Sequence, residues 1–156
     1  MKILVDADSC PRAARELVLK TSRRRGIPAV FAANRPIPGV SGDLAVMELC
    51  PPGENTADDR IVTLARPGDL VITRDLPLAE RLAAASVLVL DDRGRLLTGE
   101  NIKERRSLRD FTVGLAEDGL DFERSPNYGR SELKSFADSL DRTLTRLQRG
   151  EAKAPR

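Results

Sequence analysis

The stretch that decides the fold is Lys2-Ile3-Leu4-Val5-Asp6-Ala7-Asp8-Ser9-Cys10-Pro11. Its apolar run, residues 3–5, stops at two aspartates that are one residue apart. A short apolar run that ends in a turn signal is typical of a buried strand. Pro11 suits the first turn of a helix, with one of residues 8–10 at the cap position. The stretch therefore predicts a strand, a turn and a helix.

The two aspartates allow two interpretations. Asp6 and Asp8 would lie at the carboxyl end of the strand, where open α/β sheets place their ligands. Carboxylates this close repel each other unless a cation lies between them or one stays protonated. One interpretation is a site for a hard metal ion. The other is structural, with Asp8 as a helix cap and Asp6 solvated at the strand end, and the stretch alone leaves both open.

Composition narrows the chemistry that this chain can perform. Its 156 residues suit one domain, and we predict a single domain over residues 1–149 with a frayed tail over residues 150–156. The absence of histidine excludes Ser-His-Asp and Cys-His catalysis and every histidine-containing zinc site. With no Trp, one Tyr and four Phe, the core must be aliphatic. The formal net charge of +2 predicts no bulk attraction for nucleic acid.

Cysteine usage and hydropathy indicate the compartment. Cys10 and Cys50 are too few for a disulfide framework, and no paired-cysteine metal spacing occurs. No apolar run approaches the length of a bilayer span, and the N-terminus lacks the residue order of a signal peptide. We therefore expect a cytoplasmic protein without a membrane partner. The sequence leaves its oligomeric state open.

Strand and helix patterns alternate along the rest of the chain. Further strands are predicted at residues 27–33, 44–49, within 69–75 and at 87–90, with residues 96–97 as a short return strand. Helical patterns cover residues 11–26, 56–66, 77–84, 100–117 and 131–147. Gly26 is predicted to end the first helix in the left-handed conformation. Thr56 and Asp59 predict a capping box, and Ser131 a cap for the last helix.

This alternation predicts an α/β fold with a mainly parallel five-stranded sheet and a C-terminal helix. If strands one to three step outward in one direction and strands four and five in the other, the strand order is 3-2-1-4-5. The direction then reverses between strands one and four, and ligands bind at such a switch point.

Acids from distant parts of the chain are predicted to meet at this switch point. Asp6 and Asp8 end strand one, and Asp75 ends strand four. A fourth acid comes from Asp58 or Asp59, and we prefer Asp58 because Asp59 is placed to close the capping box. An all-oxygen site without histidine or cysteine indicates Mg²⁺ or Mn²⁺. Such ions polarise phosphoryl oxygens and activate water.

Several motifs together resemble the YaiI/YqxD family of bacterial proteins, from the N-terminus to near Leu147. The motifs are Val5-Asp6-Ala7-Asp8-x-Cys10-Pro11, Ala33-Asn34-x-Pro36, Ala57-Asp58, Pro67-Gly68-Asp69-Leu70-Val71-Ile72-Thr73-x-Asp75-x-Pro77-Leu78-Ala79 and Glu100-Asn101-Ile102. That family is similar to PIN-like domains, which are metal-dependent ribonucleases with an acidic crevice. The resemblance implies nuclease acids at Asp6, Asp58 and Asp75, with a looser counterpart at Asp8.

Basic and amide side chains near the acids are candidates for holding a nucleic-acid backbone. Arg12 lies at the start of the first helix, Arg74 lies beside Asp75, and Asn34 ends strand two. A second candidate patch consists of Lys103, Arg105, Arg106 and Arg109. Alternating charges on an exposed helix are, however, usually only a solvated face. The scarcity of aromatic residues argues against base-specific recognition of single strands.

Three functions fit these observations. The first is a metal-dependent phosphodiesterase that acts on RNA, with Asp6, Asp58 and Asp75 as ligands and Asp8 as a ligand or general base. The second is a phosphatase of the haloacid-dehalogenase type, with Asp6 as nucleophile and Asp8 as acid/base. That chemistry needs a lysine near the site, and the chain has none between Lys20 and Lys103. The third is a non-catalytic module that binds metal and nucleic acid.

Overall fold

Five parallel strands form one sheet in the order β3-β2-β1-β4-β5. The computed structural model describes residues 1–117 and 128–151, and the side chains of all of these except residues 109–117. The strands are β1 (Ile3–Asp6), β2 (Ala29–Ala33), β3 (Ala45–Leu49), β4 (Leu70–Ile72) and β5 (Leu88–Leu90). The helices are α1 (Arg12–Arg25), α2 (Thr56–Leu64), α3 (Leu76–Ala84), α4 (Gly99–Glu117) and α5 (Arg130–Gln148). The predicted α/β fold and strand order are confirmed.

The switch point lies between β1 and β4, as predicted. Ile3 pairs with Ala29 of β2 on one side and with Leu70 of β4 on the other. In the register with β4 the last pair is Val5 with Ile72. One position further on, Asp6 lies level with Thr73, just past the end of β4. The carboxyl ends of the two central strands therefore meet at one edge of the sheet.

Apolar side chains fill both faces of the sheet. One core cluster joins the sheet to α1 and α5, and its largest side chains, Phe31 and Phe136, are fully buried. The other joins the sheet to α2, α3 and the start of α4. Leu140 and Leu144 of α5 are also fully buried, so the apolar stripe of the last helix is core. Burying these aliphatic side chains contributes roughly 1.5–3 kcal/mol each.

The end of α1 is as the sequence predicts. Gly26 has a φ of +67° and its amide donates to the carbonyl of Ser22, which gives the left-handed cap. The predicted return strand at residues 96–97 is reduced to one antiparallel bridge, between Leu90 and Leu96. None of the helices in the described part of the chain combines the length and apolar character needed to cross a bilayer.

The predicted helix caps are wrong, because the expected capping side chains bond elsewhere. In α1 the cap position is Pro11 itself, without a side-chain cap. In α2 the cap is Asn55, in the left-handed conformation, and the Thr56 hydroxyl donates to the carbonyl of Pro51 at 2.6 Å. Asp59 pairs with an arginine instead of closing a capping box.

The cap of the last helix lies two residues before the predicted one. Its cap position is Gly129 and not Ser131. The amide of Gly129 donates to Oε2 of Glu132 at 2.9 Å, which satisfies one donor at the helix start. Residues 152–156, most of the predicted tail, lie outside the described residues, as does the side chain of Arg109.

Candidate functional site

Asp6 is the most deeply buried acid at the switch point, with 5% of its surface exposed. Its Oδ2 accepts hydrogen bonds from the hydroxyls of Ser9 and Thr73, both at 2.8 Å. Burial raises the pKa of Asp6, the two hydroxyls oppose that rise, and the charges of Asp75 and Asp8 add to it. The carboxylate is therefore held in one place at an electrostatic cost.

Asp75 is connected to Asp6 through a single hydroxyl group. The Thr73 hydroxyl donates to Asp6 and accepts from the backbone amide of Asp75 at 3.0 Å. Oδ1 of Asp75 accepts from the amide of Leu78 at 3.0 Å, so Asp75 is also the N-cap of α3. The strand end and the helix start thereby fix the two carboxylates relative to each other.

Asp58 joins this pair from the first turn of α2. Burial, then the charges of Asp6 and Asp75, raise the pKa of the half-buried Asp58 to about 6, while Arg81 opposes the rise. Within the residues that the structure describes, no hydrogen bond or ion pair reaches its carboxylate. The structure thus brings together three of the four predicted acids, from α2, β1 and the β4–α3 connection.

Asp8 lies at the margin of this group. Its Oδ2 accepts from the backbone amide of Asn34 at 3.1 Å, and its Oδ1 is 3.5 Å from Nε of Arg35. The side-chain amide of Asn34 lies 2.8 Å from the oxygen of the Thr56 hydroxyl. Asp8 and Asn34 therefore tie the ends of β1 and β2 to the start of α2, the helix that carries Asp58.

The donor set fits a hydrated hard cation. Among the described residues, no three acidic or thiol side chains are already arranged to hold one ion. Bonds from that part of the chain engage only one carboxylate oxygen of Asp6 and one of Asp75, and neither oxygen of Asp58. Mg²⁺ commonly takes one or two carboxylates and keeps several waters. Asp6, Asp58 and Asp75 could therefore hold such an ion with water completing its shell.

The predicted nucleic-acid contacts nearest the site are engaged in ion pairs. Nε of Arg12 is 3.0 Å from Glu16, although the Arg12 side chain is 85% exposed. Arg74, which is half exposed, pairs with the buried carboxylate of Asp92. Arg74 thus remains partly exposed at the rim of the site, and the buried carboxylate of Asp92 compensates its charge.

The second predicted patch, on α4, contains both ion-paired arginines and an exposed lysine. Nη1 of Arg106 pairs with Glu80 at 2.5 Å, and Arg105 pairs with the buried Asp91 at 3.0 Å. Lys103 is exposed. The two arginines stabilise the packing of α4 against neighbouring elements, which is the structural interpretation of this patch.

Sequence reasoning missed a second acidic pair at the same edge of the sheet. Asp91 and Asp92 follow β5 directly and are only 3% and 4% exposed. They repeat the pattern of an apolar run that ends in aspartate, which is the signal that could have found them. Each forms an ion pair with an arginine, whereas no ion pair with Asp58 occurs in the described part of the chain.

Two further polar groups lie near Asp92. Burial and then the charge of Asp92 raise the pKa of Cys10 to about 12, so its thiol stays protonated and is no nucleophile. The same two causes, in the same order, raise the pKa of Tyr128. The Tyr128 hydroxyl is buried and finds no hydrogen-bond partner in the described part of the chain.

Comparison with known proteins identifies the family. Residues 4–146 match the family model described as "Uncharacterized BCR, YaiI/YqxD family". The chain is 45% identical over 149 residues to a UPF0178 protein of Treponema pallidum, covering 96% of this chain and 84% of that protein. It is 43% identical over 149 residues to a UPF0178 protein of Geobacter metallireducens, covering 96% of each chain.

A UPF0178 protein of Myxococcus xanthus is 40% identical over 155 residues, covering 98% of this chain and all of that protein. No solved structure shows significant similarity to the chain. Because the family model and these relatives all match nearly the full length, the chain belongs to the YaiI/YqxD family.

Proposed function

We propose that this protein is a metal-dependent phosphodiesterase that acts on RNA, with Asp6, Asp58 and Asp75 as the ligands of a Mg²⁺ or Mn²⁺ ion. The observation that carries the proposal is the convergence of Asp6, Asp58 and Asp75 at the switch point, where the Thr73 hydroxyl connects Asp6 with Asp75 and burial and the other two acids raise the pKa of Asp58 to about 6. The charges of Asp6 and Asp75 disfavour the ionised form of Asp58, and a divalent cation among the three carboxylates would compensate this repulsion.

The chemistry of the proposed site divides between the ion and the chain. When bound, the ion supplies a Lewis acid for a phosphoryl oxygen and lowers the pKa of water. Asp6 has a fixed orientation because two hydroxyls hold its Oδ2. Asp58 supplies a carboxylate that no hydrogen bond or ion pair from the described residues engages. Arg74 bonds to Asp92 through Nε and Nη2, and its half-exposed guanidinium keeps Nη1 for a phosphate.

The contacts of Asp6 favour this reaction over the phosphatase alternative. That chemistry requires a lysine beside the nucleophilic aspartate, whereas the described partners of Asp6 are the hydroxyls of Ser9 and Thr73. Lys2 pairs instead with Asp69, which precedes β4 and so lies at the opposite edge of the sheet.

Asp6→Asn and Asp58→Asn test the proposal. Each removes one negative charge at almost constant volume. We expect either change to lower Mn²⁺-dependent cleavage of single-stranded RNA about a hundredfold or more, and to weaken Mn²⁺ binding measured by calorimetry. Asp138→Asn, on the exposed face of α5, makes the same chemical change away from the site and should leave both unchanged. Cleavage that persists in Asp6→Asn or in excess chelator would refute the proposal.

A further inference from the structure

A groove outside the acidic site runs along α1, beneath the loop that follows β2. Its volume is about 390 Å³. The loop contributes residues 37–40 and α1 contributes four basic side chains, while Leu19 of α1 and Ile37 of the loop form an apolar floor. We call it the α1 groove; its principal residues are Arg12, Arg15, Leu19, Lys20, Arg23 and Ile37.

The cations of the α1 groove are positioned but not neutralised. Nη1 of Arg15 donates to the carbonyl oxygens of Ala7 and Cys10, at 3.3 and 2.9 Å. Nη2 of Arg23 donates to the carbonyl oxygen of Ser41 at 2.9 Å. Carbonyl groups fix a guanidinium without cancelling its charge, so the groove keeps these charges available for a ligand.

The remaining charges in the groove add to this imbalance. Lys20 is exposed, and no carboxylate pairs with it in the described part of the chain. The one acid of the groove, Glu16, is already paired with Arg12. Arg15, Lys20 and Arg23 therefore present three uncompensated positive charges on one side of one helix. An occupant with regularly spaced anionic groups would complement them.

The floor of the groove indicates the rest of the occupant. Leu19 and Ile37 lie beneath the cations, each 7% exposed, and half-buried Val40 borders them. An apolar floor flanked by cations suits a chain that alternates phosphate with sugar and base. The groove contains no aromatic side chain, so it offers no stacking platform and predicts binding without sequence preference.

The groove also begins beside the acidic site. Arg15 bonds to the loop that directly follows Asp6, and Arg23 lies eleven residues beyond Arg12 on the same helix. At a rise of 1.5 Å per residue, this is a track of about 16 Å. It leads from the candidate catalytic edge toward the opposite edge of the sheet.

We propose that the α1 groove binds the phosphodiester backbone of the RNA strand whose cleavage is proposed above. The inference deepens that proposed function and rests on it for the choice of RNA. Arg15, Lys20 and Arg23 contact successive phosphates, and the strand leaves the acidic site along α1.

The test measures RNA binding without catalysis. Fluorescence anisotropy of a labelled single-stranded oligoribonucleotide, in chelator and over a range of KCl concentrations, gives the slope of log K against log salt. Lys20→Ala should reduce the magnitude of this slope by about 0.7, and Lys20→Ala/Arg23→Ala by about 1.4. In 0.1 M salt these changes correspond to an affinity loss of about fivefold and twenty-fivefold.

Arg24→Ala is the matched control. It removes the same charge from the same helix, but Arg24 pairs with Asp141 of α5 and does not line the groove. It should leave the slope and the affinity unchanged. A double variant that keeps the wild-type slope, or an Arg24→Ala slope that falls equally, would overturn the inference. Competition by adenosine monophosphate would also overturn the inference if the mononucleotide bound the wild-type protein as tightly as the labelled strand does. The groove would then be a site for free nucleotides.

The two proposals fail separately. If Asp58→Asn abolishes cleavage while the groove variants bind RNA like the wild type, only the groove inference is wrong. If the groove variants lose RNA binding while the wild type cleaves no RNA with Mn²⁺, the groove inference holds and the phosphodiesterase proposal is wrong.

Discussion

Asp58 has an unfavourable charge in the folded chain at neutral pH. Its pKa of about 6 lies above the ordinary 3.8 because of burial and the charges of Asp6 and Asp75. Folding therefore favours its protonated form. The stability that this provides is fully present below pH 3.8 and is lost as pH rises through 6.

Asp58→Asn removes this pH dependence. In metal-free buffer we expect the variant to be more stable than the wild type by about 1 kcal/mol at pH 7.5, allowing for solvent screening, and to match it near pH 3.5. Urea denaturation at the two pH values measures the difference. Asp138→Asn should change neither value. A stability gain equal at both pH values would contradict the electrostatic explanation.

Only part of this acidic site could be predicted from the sequence. The positions of Asp6 and Asp75 follow from strand ends and strand order, so their meeting could be predicted. The hydroxyl of Thr73 that connects them could not, because Thr73 lies level with Asp6 only in the register that pairs Ile3 with Leu70. Side-chain bonding of this kind depends on register, which the sequence does not specify here.

At the scale of elements, Asp75 has two roles at the start of α3. Asp75 caps the helix through the amide of Leu78 and is also a proposed ligand. Asparagine caps a helix about as well as aspartate, whereas alanine does not. The two substitutions therefore separate the roles.

We expect Asp75→Ala to be less stable than Asp75→Asn by about 1 kcal/mol, measured by urea denaturation in chelator. Both variants lose the same charge, so relief of repulsion cancels in this comparison. Both should bind Mn²⁺ more weakly than the wild type. Equal stability would exclude a capping contribution, and unchanged Mn²⁺ affinity in both would exclude Asp75 as a ligand.

The elements themselves were largely predictable, and their starts were not. Apolar runs and helical spacing located the five strands and five helices of the described part of the chain, because burial determines both patterns. Gly26 ends α1 as predicted, since few residues other than glycine adopt its left-handed conformation without strain. Thr56 failed as a cap signal because the folded chain offers its hydroxyl the carbonyl of Pro51.

For the whole molecule, α5 is secured by close contact with the turn after β5. A Cβ atom on Gly94 would lie 2.5 Å from the carbonyl oxygen of Ser135 and 2.8 Å from the hydroxyl of Ser139. Gly94 also has a φ of +86°. The turn and the last helix can approach this closely only because glycine stands there.

Gly94→Ala should therefore lower the free energy of unfolding by about 2 kcal/mol more than Gly68→Ala does. Gly68 has a comparable φ of +97°, but a Cβ there meets nothing within 4 Å. The control thus carries the backbone strain, roughly 1 kcal/mol, without the steric clash. Thermal unfolding of the two variants measures the difference. Equal losses would show that strain alone accounts for both.

Tyr128 gives the molecule an optical reporter. It is the only tyrosine in a chain without tryptophan, so nearly all near-ultraviolet emission comes from one phenol ring. That ring packs against the core that joins the sheet to α1 and α5, and the charges of Asp92 and Arg74 act on its hydroxyl. Intrinsic fluorescence thus follows events beside the acidic edge directly, with no label attached and no second emitter to subtract.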